Sequence, residues 1–285
     1  MPEADVQPGR SLAVGEELPI VRLRHWGRWI SGAVVLGLLA LLGLALAQAQ
    51  IEYGSVPGFL WYRVVLVGLL NTVLLAVIAQ GSAIVIGVVI ALMRRSVNPV
   101  AWWFAAAYIW LFRGLPVLLQ ILIWYNLALV FTYISIPLPF GGYLLHEQTN
   151  VLVTAFVAAL LGLALNESAY MAEIVRAGLN SVDGGQTEAA KSIGMFRWQI
   201  LTYILLPQAL RPMLPPLTNE LISMTKNTSL LSVISVYELT RAGQAIISVH
   251  FVPFEIYLLL ALYYYALIKS LSYFSRWVES RMPVL

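Results

Sequence analysis

Six apolar runs, near residues 29–49, 65–93, 114–134, 151–172, 206–234 and 255–275, dominate this chain and leave it few ways to fold. A run of roughly 20 apolar residues crosses about 30 Å of hydrocarbon as a helix. Within lipid, each backbone N–H and C=O must be satisfied by the protein itself, so these runs are read as transmembrane helices. Composition agrees: 60% of the 285 residues are hydrophobic and 11% charged, with mean hydropathy +0.81, far from a water-soluble domain. The fold class is therefore all-α and integral to a membrane, with about six transmembrane helices.

Charge orients the spans. An N-terminus in the cytoplasm puts Arg10, Arg22, Arg24, Arg28, Arg94, Arg95, Arg113, Arg176, Lys191, Arg197, Arg211, Lys269, Arg276 and Arg281 inside and only Arg63 and Arg241 outside. That is a strong positive-inside bias, and it places both termini in the cytoplasm. Residues 1–28 read as a polar cytoplasmic tail, 29–63 as a first span with its outer loop, and 64–280 as the main membrane domain. Ala45 to Gln50 resemble a signal-peptidase site, but about 28 residues precede the apolar core, long for a signal peptide, so the first span is expected to be retained. Segment 94–113, basic and then rich in Trp and Tyr, suits a helix at the cytoplasmic interface leading into the third span. Tyr263, Tyr264, Tyr265, Trp277, Trp26 and Trp29 read as interface anchors.

Several function classes drop out. Cysteine is absent and the histidines His25, His146 and His250 stand far apart, so no metal site is expected. The pI near 9.1 comes from singly dispersed cations with no aromatic-basic stripe, which argues against nucleic acid. No glycine-rich run precedes Lys191-Ser192 or Lys269-Ser270 in the spacing of an ATP-binding loop. No acid pair or nucleophile–His–acid set falls on facing elements, so no catalytic residues are assigned.

One polar island interrupts the apolar pattern between the fourth and fifth spans, at EAAKSIGMFRWQILTYILLP, Glu188 to Pro207. Asp183 followed by Gln186 can form a capping box, giving a short helix from Gln186 to Ile193 that Gly194 terminates. Ala189, Ala190 and Ile193 then form a small apolar face, flanked by Glu188 and Lys191. On physical grounds this is either an ordinary amphipathic loop helix or a docking site for a partner.

The spacing of Glu188, Ala189, Ala190, Gly194, Ile204, Leu206 and Pro207 resembles the EAA signature of the permease subunits of bacterial ABC importers. Ala169 to Ala190, Arg113 to Gln120, Lys226 to Gln244 and the segment from Gly68 look like the polar amino-acid (histidine/glutamine permease-like) branch of that family. The resemblance covers roughly residues 64–280. It implies the type I importer transmembrane fold, here a five-helix core plus an extra N-terminal span, with a cytoplasmic coupling loop near 176–206. It also implies that Glu188, Ala189, Ala190, Lys191, Gly194 and Pro207 couple to a separate ATP-binding cassette subunit, which holds ATP and Mg. A second permease subunit, identical or homologous, an extracytoplasmic substrate-binding protein and an amino-acid substrate complete the expected set. Asn227 departs from the pattern, standing where Asp is common.

The fifth span carries polar residues where hydrocarbon disfavours them: Asn219, Glu220, Lys226, Asn227, Thr228 and Ser229, just after Pro212, Pro215 and Pro216. A proline-broken helix is tolerated where it lines a cavity. Glu220 is the foremost candidate for substrate contact, its carboxylate pairing with an ammonium or cationic side chain; the alternative is a bridge to Lys226 or Arg211. Six residues separate Glu220 from Lys226, about 600° of helix, which puts them on different faces. Asn166, Glu167 and Gln120 are further pathway candidates, whereas Glu173 and Arg176 are read as a local ion pair. The resulting expectation is the permease subunit of an ATP-driven importer of polar amino acids in the bacterial cytoplasmic membrane. An ion-coupled secondary transporter using Glu167, Glu220 and Lys226 is the alternative.

Overall fold

The structure, a computed structural model, describes residues 26–49, 51–52, 54 and 56–281. Most of the N-terminal tail, including Arg10, Arg22, Arg24 and His25, lies outside the described residues. The chain divides between Ile51 and Glu52 into two units. The first holds α1 (Trp26–Gln48), an apolar helix of 23 residues with no buried residue and low amphipathicity, as suits a helix with lipid all round.

The second unit begins with the short α2 (Val56–Phe59) and the long α3 (Arg63–Arg94). Leu70, Leu74, Val77, Ile78, Val85 and Val89 are exposed along α3 at helical spacing, while Leu75, Ala76, Ala79, Ala83 and Ile90 are buried. One stripe thus faces the protein and the other suits lipid. Then α4 (Pro99–Gly114) starts on Asn98, whose side chain accepts from Val100 N at 2.9 Å, and α5 (Val117–Tyr125) departs from it at 102°. Pro116 causes the break, since it cannot donate to the carbonyl of Phe112 four residues earlier. The third span is therefore not the single run 114–134: Leu127–Leu129 form a 3-10 turn, followed by an antiparallel hairpin, β1 (Tyr133–Pro137) with β2 (Tyr143–Gln148). The chain turns there at Gly141 and Gly142, both with positive φ, between strands rich in the aromatic and branched residues that favour extended chain.

After α6 (Thr149–Leu152) comes α7 (Ala155–Asn180), the central post. Its most apolar stretch is 61% buried, against 39% for α3 and 22% for α12, because α3, α4, α5 and α10 all pack on it. Small residues permit the close crossings. A Cβ on Gly87 would lie 2.4 Å from Met171 Cβ, and one on Gly162 would lie 2.6 Å from Ile121 Cγ1, so glycine is required where α3 and α5 meet α7.

The polar island follows as α8 (Gly184–Ser192), α9 (Arg197–Gln199) and a π-helical turn over Ile200–Leu205, which runs into α10 (Leu206–Asn227). Pro212, Pro215 and Pro216 lie inside α10. A 3-10 segment, Thr228–Ile234, ends it, so the fifth span is shorter as α-helix than 206–234. α11 (Leu239–His250) and α12 (Pro253–Ser280) complete the fold. Glu238 caps α11 from a fully buried position: its carboxylate accepts from Thr240 N and Arg241 N at 2.8 Å and from the Tyr264 hydroxyl at 3.0 Å.

Candidate functional site

Two sites stand out, and the first is the α8 loop. Asp183 is its N-cap, accepting from Gly185 N at 2.6 Å, and Ile193 its C-cap; Gly194 then takes φ +81°, the left-handed conformation that glycine adopts at no steric cost. The helix thus starts two residues before the expected Gln186 and ends at Ser192, one residue before the expected Ile193; the Asp183 side chain caps it through Gly185 N and not in the expected box with Gln186. Glu188, Ala189, Lys191, Ile193 and Gly194 are exposed, Ile193 to 78%. Ala190 corrects the sequence reading of a shared outward face. It is 5% exposed and belongs to a buried cluster with Val175, Leu179, Ile200, Leu205, Ala209 and Met213, and α8 packs chiefly on the Ile200–Leu205 turn. Pro207 sits in the first turn of α10, directly after the π-helical turn Ile200–Leu205. Glu173 and Arg176 form the expected pair, Nε donating to Oε2 at 3.0 Å.

The second site is a cavity of about 440 Å³ where the α4–α5 break meets α7 and α10. That is within the range of about 300–1,000 Å³ typical of small-molecule sites. Glu220, Ser223 and Asn227 line it from one face of α10, at helical spacings of three and four. From α7 come Asn166, Glu167 and Tyr170, and from the break Arg113 and the backbone around Pro116. The Arg113 guanidinium lies 5.0 Å from the centroid of the Tyr170 ring and exerts its field on Glu220. Glu167 and Glu220 face the same cavity from α7 and α10. Glu167 is 3% exposed, and its Oε1 is buried without a hydrogen-bond partner.

The break is held by polar side chains. Gln120 Nε2 donates to the carbonyls of Phe112 and Leu115, each at 2.9 Å, and Asn166 Nδ2 donates to that of Phe112 at 2.7 Å. These are the acceptors that Pro116 and the chain reversal leave bare. Gln120 is consequently a clamp on the backbone and does not line the cavity, contrary to the pathway role expected for it. Four other expected pathway residues also lie outside the cavity. Asn219 and Lys226 are exposed on another face of α10; the Thr228 hydroxyl donates to Thr225 O at 2.7 Å and that of Ser229 to Lys226 O at 2.7 Å. Nor does Glu220 form an ion pair with Lys226; it shares the cavity lining with Glu167 and Arg113. Arg113, Tyr170 and Ser223 were missed by the sequence reading, whereas Asn227 had been named among the polar residues of the fifth span. For Ser223, the spacing from Glu220 was the available signal; for Arg113, no one-dimensional feature shows that the break turns it toward α7.

Residues 83–284 match the family model described as the binding-protein-dependent transport system inner membrane component. The chain is 36% identical over 246 residues to the arginine transport system permease protein ArgU of Corynebacterium glutamicum, covering 86% of this chain and 76% of that protein. It is 35% identical over 214 residues to the glutamine transport system permease protein GlnP of Escherichia coli K12, covering 75% and 90%. Among solved structures, an amino acid ABC transporter with histidines superposes with TM-score 0.69 at 34% identity, covering 82% of this chain and all of the other. The MetNI methionine transporter in an inward-facing conformation superposes with TM-score 0.55 at 19% identity and is similar in fold.

Proposed function

Because the chain belongs to the binding-protein-dependent transport system inner membrane components, a family of transport subunits and not of catalysts, we propose that it is the permease of an ATP-driven importer of polar amino acids. The observation that carries this reading is the joining of two sites by one core. Ala190 of the exposed α8 loop shares one buried cluster with Val175 and Leu179 of α7 and Ala209 and Met213 of α10, and those same helices carry Glu167 and Glu220 at the cavity. Relatives named for arginine and glutamine transport support an amino acid as the cargo.

In this mechanism the partner ATPases bind ATP and Mg and close on one another, drawing α8 with them. Glu188, Ala189, Lys191, Ile193 and Gly194 make the contact. Movement of α8 shifts α7 and α10, and the cavity changes the side of the membrane to which it opens; hydrolysis resets it. Arg113 receives the substrate α-carboxylate, a charge-assisted contact suited to its guanidinium, and the Glu167–Glu220 pair receives the α-ammonium. Ser223 and Asn227 offer hydrogen bonds to polar side chains. A second permease subunit covers the exposed polar side chains of α10, Asn219 and Lys226, which hydrocarbon would not accept. An extracytoplasmic binding protein delivers cargo to the outer face of the membrane, and both termini lie in the cytoplasm. Residues 64–280 form the permease domain, to which α1 is an addition. Family membership favours this reading over the ion-coupled one.

The test is uptake of labelled amino acids into proteoliposomes containing the permease, its ATPase and its binding protein. ATP-dependent uptake that Gly194→Asp abolishes, together with loss of ATPase association, is the expected result. Uptake that needs no ATP and survives Gly194→Asp would overturn it.

A further inference from the structure

The turn between α3 and α4 holds two cations that are fixed in place yet not neutralised. Arg94 is the last residue of α3 and Arg95 its C-cap. The Arg94 guanidinium lies 3.8 Å from the centroid of the Trp102 ring on α4, and Arg95 Nη1 donates at 2.6 Å to Asn180 Oδ1 at the end of α7. Neither arginine is in an ion pair among the described residues. Stacking uses none of the five N–H donors of Arg94, and the bond to Asn180 uses one of those of Arg95. The turn is itself held by side chains: Ser96 Oγ accepts from Asn98 N at 3.1 Å, and Asn98 Oδ1 from Val100 N at 2.9 Å. Asp183, the carboxylate nearest to Asn180 in sequence, is engaged in capping α8 through Gly185 N.

An apolar strip leads away from this charge. Trp102 meets Trp103 edge-on, with ring centroids 5.0 Å apart, and Val100, Trp103, Phe104, Ala107, Trp110 and Leu111 are exposed along α4 at helical spacings of three and four. From Val100 to Leu111 the strip is about 16 Å long, close to half of the roughly 30 Å hydrocarbon core, which is the depth of one leaflet. We infer that Arg94 and Arg95 hold the phosphate of an anionic phospholipid, whose acyl chain lies on the α4 strip. The phosphodiester accepts from the free donors of both guanidiniums, a charge-assisted contact, and supplies the countercharge that no described side chain provides. The strip favours a lipid over a free anion, which has nothing to lay on it. It equally favours a lipid over an acidic protein surface, which would meet the arginines and leave Trp103 and Phe104 bare. One headgroup so placed joins the end of α3, the start of α4 and the end of α7.

Native mass spectrometry of the full-length chain, purified in neutral detergent and mixed with equimolar phosphatidylglycerol and phosphatidylcholine of matched chains, reads the site. The wild type is expected to retain phosphatidylglycerol in preference, each arginine contributing about fivefold. Arg94→Gln and Arg95→Gln should each lower the preference about fivefold and the double variant about 25-fold, whereas Arg63→Gln, at the opposite end of α3, should leave it unchanged. Trp103→Ser should weaken retention of both lipids without changing their ratio. Equal retention of the two lipids by the wild type, a preference that survives in the double variant, or an equal loss in Arg63→Gln would overturn the proposal. So would displacement of the lipid by an equal concentration of glycerol phosphate, the mark of an anion site without a lipid. The wild-type comparison and the glycerol phosphate competition need no variant, so they decide even where a substitution prevents folding.

Discussion

The clamp across the α4–α5 break gives a quantitative test by replacing Gln120 and Asn166 with leucine, singly and together. Phe112 O accepts from both side chains, at 2.9 and 2.7 Å, whereas Leu115 O accepts from Gln120 alone of the two. Gln120→Leu bares Leu115 O but leaves Phe112 O with Asn166, and it also removes a buried Oε1 that has no partner in the wild type. A buried acceptor left bare costs about 1–3 kcal/mol, while hydrogen bonds in membrane proteins average about 0.6 kcal/mol by double-mutant cycles. About 1 kcal/mol is therefore expected for Gln120→Leu. For Asn166→Leu, which leaves Phe112 O satisfied, about 0.5 kcal/mol or less is expected. Only the double variant strips Phe112 O, so it should cost about 1 kcal/mol more than the sum of the singles. The assay is reversible SDS unfolding of the purified subunit followed by tryptophan fluorescence, to which Trp102, Trp103 and Trp110 on α4 report. Additivity within about 0.3 kcal/mol would refute the shared-acceptor account.

Other substitutions separate the roles of neighbouring residues. Ala190→Leu should overpack the core and lower stability by about 1–3 kcal/mol, whereas Ala189→Asp, on the exposed side of the same helix, should leave unfolding unchanged and abolish co-purification of the ATPase. Gly194→Ala places a Cβ at φ +81°, a cost of about 1–2 kcal/mol that should show as faster proteolysis of the α8 loop and weaker ATP-driven uptake. Gly162→Val should push α5 from α7 through Ile121, with a fall in thermal unfolding temperature that Ile121→Ala partly restores. Glu238→Gln replaces one capping oxygen by a donor facing N–H groups and should cost about 1–2 kcal/mol in SDS unfolding.

Long spans were legible because lipid imposes length and apolarity on every residue of a run; α1 and α3 fall within three residues of their expected bounds, while α7 and α12 run eight and five residues past their expected ends. Gly194 and Asp183 were legible for a related reason: caps are written locally, in one or two residues. The third and fifth spans were not, since apolarity is blind to where a helix stops. Pro116 marks a break, but the angle depends on Gln120 and Asn166 reaching back to carbonyls. In the cavity, Glu167, Asn166 and Glu220 betrayed themselves as polar groups in apolar surroundings. The same signal misled for Gln120, Thr228 and Ser229, which spend their hydrogen bonds on nearby backbone. Polarity in a span shows that a partner is needed, not whether that partner is cargo or carbonyl. Ala190 was misplaced because alanine carries no sign of direction, and only packing distinguishes it from Ala189.

The inward seat of Ala190 also determines what kind of machine this is. Ala190 shares its cluster with Met213, and Glu220 follows Met213 by seven residues, about 10 Å along one helix. The α8 loop and the acidic wall of the cavity are therefore joined through one packed core. The assembly works as a crank with a short throw: a tug on α8 arrives at the cavity as displacement rather than being absorbed as bending. Selection for timing therefore falls on the stiffness of the α7–α10 contact, and a softened contact would let the motor turn over without moving its load.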